Sequence, residues 1–280
     1  MTMKRQKSFE SDGAALLLLP TPIGNLQEVT PRILEAIDSV DVIACEDTRN
    51  TGKLLELIGR KKPLIAHHEH NQAQSIPKIM ELLAEGKKVG VMSDAGYPLV
   101  SDPGQNLVKA AIAKDVPVIP FSGPNAATDA LVASGLDASH YLFYGFLDAK
   151  SSKRKKQLET LKELPYTIIF YEAPHRIEDM VADVKEVFGD REACLARELT
   201  KKFEEFVRGS LSEIETVCGS LKGEMVLVVE GAQKKAADKD DAVNRVRELA
   251  DAGMKLKAAA KQVAKETGLS ANELYNEALK

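Results

Sequence analysis

Short apolar runs closed by Gly, Pro, Asp or Ser recur along this chain, and segments with apolar residues at helical spacing lie between them. In the first half, residues 14–20, 42–44, 64–66, 89–93 and 116–121 predict strands. Helices fit the gaps: 31–40 behind a Thr30 cap with Pro31 at its first position, 76–84 ending before Gly86, and 105–113 behind Asp102-Pro103-Gly104. This βα alternation predicts an α/β fold with a mostly parallel sheet. The second half repeats the rhythm, with strands at 141–146, 167–171, 193–196, 206–209 and 225–229 and helices at 126–133, 153–161, 177–187 and 211–221.

With 280 residues, 44% of them hydrophobic, the chain is long enough for two cores. The natural break is the Pro-bounded stretch 120–124. The expected organisation is a disordered leader over 1–13, α/β domains over 14–121 and 122–232, and a helical tail over 240–280, where the composition shifts to Ala, Lys and Asp. Within the tail, a helix at 256–267, the turn Gly268-Leu269-Ser270 and a helix at 271–279 have helix-turn-helix spacing, with Ala264, Gly268 and Leu274 in the expected places. Its charge is mixed, so a helical cap, a dimer contact and a modest RNA-contacting role all stay open.

Cys45, Cys194 and Cys218 are odd in number and widely spaced, without a CxxC pair, and read as reduced core residues. The apolar run at 14–19 is too short for a signal segment and ends in Pro-Thr-Pro, so the expected location is cytoplasmic, with no membrane partner. A net charge of −4 and the absence of Trp argue against a generic nucleic-acid binder, and no DNA partner is expected.

Three loops follow predicted strands: 20–26 (Pro-Thr-Pro-Ile-Gly-Asn-Leu), 94–104 (Asp-Ala-Gly-Tyr-Pro-Leu-Val-Ser-Asp-Pro-Gly) and 122–126 (Ser-Gly-Pro-Asn-Ala). Open α/β sheets hold ligands at such positions. None of the loops contains Lys or Arg, the longest has two Asp, and the chain lacks GxGxxG and GxxxxGK[ST]. A phosphate-bearing ligand therefore lacks its usual cradle, whereas a zwitterionic or cationic one is favoured. S-adenosyl-L-methionine meets that description: it has no phosphate, a ribose diol, an amino-acid end and a sulfonium. Simple turn chemistry is the alternative for any one loop. His67-His68-Glu69-His70 holds three of the five histidines, but adjacent His residues on a strand point apart and no second ligand cluster exists, so no metal is expected.

These loops, together with Cys45-Glu46-Asp47-Thr48-Arg49, the stretch 170–176 (Phe-Tyr-Glu-Ala-Pro-His-Arg), Arg197-Glu198-Leu199-Thr200-Lys201 and Lys222-Gly223-Glu224, resemble the bacterial small-subunit (16S) rRNA cytidine ribose 2′-O-methyltransferases of the tetrapyrrole methylase superfamily. The resemblance runs in order over residues 14–232 and continues into a helical tail. It implies two α/β domains with S-adenosylmethionine in the cleft between them, a homodimer, and methyl transfer to a ribose hydroxyl near the decoding site. It also implies cofactor contacts at Pro22, Ile23 and Gly24, at Asp94, Gly96, Pro98 and Ser101, and at Ser122, Gly123 and Ala126. Tyr171 and Ala196 would complete the adenosine pocket. Glu172, His175 and Glu198 are candidates for the base, and Arg176, Arg197 and Lys201 for phosphate anchors.

Residues 150–162 carry six basic side chains against Glu159 alone, a local net charge of +5 in a chain whose total is −4. A solvated helix start is the bland reading. Lys153, Arg154, Lys155 and Lys156 are nevertheless the expected RNA phosphate contacts, since local positive charge is what an RNA partner requires. The partner would be small-subunit rRNA or the assembled subunit. A small-molecule tetrapyrrole methyltransferase and a non-catalytic ribosome-assembly factor are the alternatives; the basic run and the tail count against the first.

Overall fold

The computed structural model describes residues 3–8, 13–233 and 238–280. The first sheet is parallel throughout and contains β1 (Ala15–Leu18), β2 (Val42–Cys45), β3 (Leu64–Ala66), β4 (Lys88–Met92) and β5 (Val118–Pro120), in the order β3-β2-β4-β1-β5. Strand alternation sends Leu17 and Leu19 to one face, where they pack with Ile33 and Ile37 of α1 (Pro31–Ser39) and Leu55 of α2 (Thr48–Leu57). Leu16 and Val89 face the other way, against Ile79 of α3 (Gln72–Ala84) and Leu107 of α4 (Gln105–Ala113).

Helix α2 was not expected. Its core-facing stripe is short, with Thr51 and Leu55 buried and Leu54 and Ile58 packed beside them, and its start depends on the Asp47 carboxylate accepting from the Arg49 amide at 2.8 Å. Helix α3 begins at Gln72 rather than 76, and Pro77 lies inside it.

The chain passes to the second sheet between β5 and α5 (Ala126–Ser134), whose Ala130 and Leu131 pack under Ile169, Cys194 and Val228. This sheet holds β6 (Tyr141–Phe146), β7 (Thr167–Glu172), β8 (Glu192–Arg197), β9 (Glu205–Ser210) and β10 (Met225–Val229), in the order β6-β7-β10-β8-β9. Here the expected parallel rhythm fails. Only the β6–β7 pairing is parallel: β8 keeps their direction, but β9 follows it directly without a crossover helix and β10 inserts between β7 and β8 antiparallel to both. Helix α7 (Ile177–Phe188) packs on α6 (Ser151–Glu159) and α8 (Leu211–Cys218).

Both sheets belong to one compact unit, up to Lys162 and from Tyr166 to Glu230; a second unit comprises Glu163–Pro165 and Gly231–Lys280. In the second, α9 (Lys239–Asp251), α10 (Leu256–Thr267) and α11 (Ala271–Ala278) enclose Val243, Val246, Val263 and Leu274. Gly268 at φ 75° closes α10, and the Ser270 side chain caps α11, as the turn predicted. All three cysteines are buried and free. Among the described residues no helix is long and apolar enough to cross a membrane.

Part of the predicted disordered leader is held in place. The Gln6 amide pairs with both the N–H and C=O of Val118 at 2.9 Å on the β5 edge, and Lys4 donates to the Ile112 and Ala113 carbonyls at the C-terminal end of α4. The remainder of that leader, residues 1–2 and 9–12, lies outside the described residues.

Arg154 also departs from expectation. Residues 154 and 158 share the inner face of α6, so Arg154 is only 2% exposed and its guanidinium meets Asp183 of α7 at 2.7 Å. It is an interior ion pair, not an RNA contact. Arg154→Ala should therefore cost about 3–5 kcal/mol by leaving Asp183 buried without its partner, whereas exposed Lys156→Ala should stay within about 0.5 kcal/mol. Urea denaturation of the two variants tests this.

Candidate active site

Strands β4, β1 and β5 are neighbours, so the three Gly/Pro loops leave the sheet side by side at its carboxyl end. They are then joined to one another. Thr21 and Gly96 exchange backbone hydrogen bonds at 2.9 and 3.0 Å, with Gly96 at φ 75°. The Ser93 hydroxyl donates to the Gly96 carbonyl, and the Thr21 hydroxyl to that of Ser93. The Gly123 amide donates to the Tyr97 hydroxyl at 3.0 Å, and a methyl group on Gly123 would sit 2.5 Å from Cβ of Pro20, so only glycine allows this approach. From the second sheet, the Tyr171 hydroxyl accepts from the Ala127 amide at the start of α5, which Asn125 caps.

The loops and the second sheet enclose a cleft of about 410 Å³. Of the predicted cofactor contacts, Ile23, Asp94, Gly96, Ser101, Ala126 and Tyr171 line it. The others do not. Ala196 is fully buried in the core beneath, and Val226, its partner on β10, forms the wall instead. Pro98 faces a small cavity behind the cleft. Ser122 is exposed, Gly123 serves loop packing, and Gly24 lies against the Lys201 stem with Pro22 beside it, outside the lining. Tyr97, Asp102, Asn125 and Phe146 line the cleft without having been singled out. The second aspartate of the 94–104 loop was a signal for Asp102, but it stood where a helix start was expected.

The lining includes four carboxylates, Asp94, Asp102, Glu172 and Glu224, and neither Lys nor Arg. Asp94 accepts from the Asn50 amide at 2.7 Å. Burial, with Glu46 and Asp94 nearby, pushes the Asp102 carboxyl up to about 6. Burial also raises the Tyr171 phenol.

The three candidate bases separate clearly. Glu172 is buried at the cleft wall, accepts from the Ala173 amide at 2.8 Å and meets the Arg176 guanidinium at 3.1 Å. Glu198 is outside the lining and accepts from Lys201 at 2.9 Å, a contact that lowers its carboxyl below the usual range and weakens it as a base. His175 is exposed and also outside the lining.

Most expected phosphate anchors are occupied by protein groups. Arg176 holds Glu172 and the Leu147 carbonyl, Arg197 holds Glu205 and the Lys222 carbonyl, and Lys201 bridges Glu198 and Glu224. Lys155 is paired with Glu186 at 2.6 Å, and Lys153 faces Asp148 at 3.6 Å. Lys156 is exposed without a carboxylate in ion-pair range among the described residues. In the histidine cluster, His67 is buried and hydrogen-bonded to Ser75, whereas His70 is exposed.

The profile of the tetrapyrrole (corrin/porphyrin) methylases matches residues 15–215, and that of the RsmI C-terminal HTH domain matches 236–280. The chain is 42% identical to ribosomal RNA small subunit methyltransferase I of Bacillus subtilis, over 98% of both chains. It is 41% identical to the Escherichia coli O157:H7 protein of the same name, over 99% of each. Among solved structures, the methyltransferase CobJ superposes with a TM-score of 0.59 at 19% identity, covering 80% of this chain and 97% of that one. Uroporphyrin-III C-methyltransferase from Thermus thermophilus, complexed with S-adenosylhomocysteine, gives 0.54 at 17%, covering 77% and 97%. These two likenesses bear on the fold.

Because Asp102 binds its proton more tightly in the folded chain than at its ordinary value of 3.8, its ionisation opposes folding above pH 6, and this penalty fades as pH falls toward 4. Asp102→Asn should therefore stabilise the protein at pH 8 by on the order of 1 kcal/mol, allowing for solvent screening. The gain should vanish near pH 4. Thermal unfolding across that range is the measurement.

Proposed function

Since the chain belongs to the tetrapyrrole (corrin/porphyrin) methylase family, in the group of the ribosomal RNA small subunit methyltransferase I proteins, we propose that it transfers a methyl group from S-adenosyl-L-methionine to the 2′-hydroxyl of a cytidine ribose in 16S rRNA near the decoding site. It is an S-adenosylmethionine-dependent methyltransferase of ribosomal RNA. The observation that carries the cofactor reading is the cleft itself, lined by four carboxylates and no basic side chain. Such a donor set suits a ligand with a sulfonium, an ammonium and a ribose diol, and repels a nucleotide phosphate.

When bound, the cofactor supplies an electrophilic methyl group on sulfur. The protein supplies placement, because a hydroxyl aligned with the methyl–sulfur bond at near-attack distance removes several kcal/mol of the barrier. Asp94, fixed by Asn50, is placed to accept from ligand hydroxyl or ammonium groups. Ile23, Leu199 and Val226 exclude water from the other wall, and Tyr97 and Tyr171 keep the loops in register. A carboxylate facing the cleft takes the hydroxyl proton.

For the RNA, the usable positive charge is Lys150, Lys153 and Lys156, all exposed around the start of α6. This helix follows β6, whose Phe146 lines the cleft. A homodimer and a cytoplasmic location complete the reading.

Incubation with labelled S-adenosylmethionine and small ribosomal subunits, naked rRNA or tetrapyrroles should place label on a ribose oxygen of the rRNA. Label in tetrapyrroles alone, or none, would reject the reading. Asp94→Ala should weaken cofactor binding at least tenfold by calorimetry. Replacing Lys150, Lys153 and Lys156 together with Ala should flatten the logarithmic salt dependence of RNA binding by about 2–3 while cofactor affinity stays unchanged.

A further inference from the structure

Behind the cleft lies a separate cavity of about 10 Å³, the space of one water molecule, bounded by Glu46, His67, Ser93, Pro98, Asp102 and Pro103. Asp102 lines both spaces. His67 is 2% exposed, and its Nε2 is buried without a hydrogen-bond partner. The other ring nitrogen, Nδ1, meets Ser75 Oγ at 2.8 Å, and that hydroxyl also lies 3.1 Å from the Asn71 carbonyl; both contacts are hydrogen bonds in the tautomer protonated at Nδ1, which leaves the lone pair on Nε2. Burial and His68 lower the His67 pKa, in keeping with a neutral ring.

The four cleft carboxylates are not equivalent. Asp94 is held by Asn50 and Glu224 by Lys201, and Glu172 accepts from the Ala173 amide through one oxygen and meets the Arg176 guanidinium with the other, whereas Asp102 lies beside the Ser93 hydroxyl, whose proton goes to the Gly96 carbonyl. The backbone around Asp102 is also strained, with Leu99 at φ 74° and Ser101 at φ 65°. Strain of this kind persists where the surrounding structure imposes a particular side-chain placement.

We infer that Asp102 is the catalytic base of the transfer, and that His67 is a positioning residue acting on it through one water in the rear cavity. This rests on the methyltransferase reading above. In the step, the hydroxyl oxygen bonds to the methyl carbon, the carbon–sulfur pair stays on sulfur, and the hydroxyl proton passes to the Asp102 carboxylate. The water donates one O–H to His67 Nε2 and the other to the rear of that carboxylate, orienting it and favouring its ionised form. The groups facing Asp102 are Glu46 from the end of β2, His67 after β3, Ser93 and Asp94 after β4, and Tyr171 of β7. Burial, with Glu46 and Asp94 beside it, holds its affinity for a proton high enough for base chemistry near neutrality.

The test uses the full chain with labelled S-adenosylmethionine and small ribosomal subunits lacking the methyl group. Asp102→Asn should lower kcat by roughly 10²–10⁴-fold while the subunit still binds and the variant unfolds cooperatively. Retention of more than a tenth of kcat, or a comparable loss confined to Glu172→Gln, overturns the assignment. For His67, the acid limb of the kcat profile should move up by half a pH unit or more in His67→Leu and return in His67→Gln, whose side-chain oxygen restores an acceptor. The Asp102 carboxyl resonance in the free protein, followed by carbon NMR, should move with it. An unshifted limb and resonance in His67→Leu reject the positioning role. Failure of the parent protein to methylate the subunit would instead reject the reading on which the inference rests.

Discussion

The paired backbone hydrogen bonds between Thr21 and Gly96 hold the loop after β1 to the loop after β4. The strand order then places the third loop beside them, where Gly123 meets both Pro20 and the Tyr97 hydroxyl. Loops at a sheet edge ordinarily move independently. Here each is bonded to its neighbour by main-chain groups, so the cleft has a rigid floor before any ligand arrives, and the entropy of ordering is borne by folding rather than by binding.

The cleft joins this floor to a wall of different origin. The second sheet is mostly antiparallel, and Tyr171 reaches from it to the Ala127 amide, tying the wall to the start of α5. Four carboxylates converge where the two meet, and three of them are held by nitrogen donors of the protein. The fourth, Asp102, is buried beside Glu46 and Asp94 and accordingly binds its proton tightly. Positive charge is abundant nearby, yet Arg176, Arg197 and Lys201 are engaged with glutamates and hold the second sheet together.

Much of the fold was legible because it rests on local signals. The strands of the first sheet, the Thr30 cap of α1 and the Gly268 turn all reflect apolar period, capping chemistry or left-handed glycine. Helix α2 was missed because its apolar residues Leu54, Leu55, Leu57 and Ile58 are confined to its C-terminal end, behind a polar first half. The reversed direction of β9 and β10 was missed because strand pairing joins segments far apart in sequence, about which local periodicity carries no information. Of the site, the three loops and their acidic, lysine- and arginine-free character were recognisable from residue type, whereas the individual contacts came from the family resemblance, and about half of the loop residues it named line the cleft.

What the amino-acid sequence determined alone was the alternation of elements, the Gly/Pro loops and their acidic character, and the charge run at the start of α6. Tertiary structure decided which of those charges remain available. Arg154 and Lys155 lie in the same run as Lys153 and Lys156, but a helix turns 100° per residue, so the first two face Asp183 and Glu186 on α7 while the others stay exposed, Lys153 with Asp148 of the preceding loop at 3.6 Å. Likewise, nothing in the 94–104 loop distinguishes Asp94 from Asp102. The distinction comes from Asn50 beside one and the buried His67 cavity behind the other, neighbours supplied by distant segments only once the parallel sheet has formed.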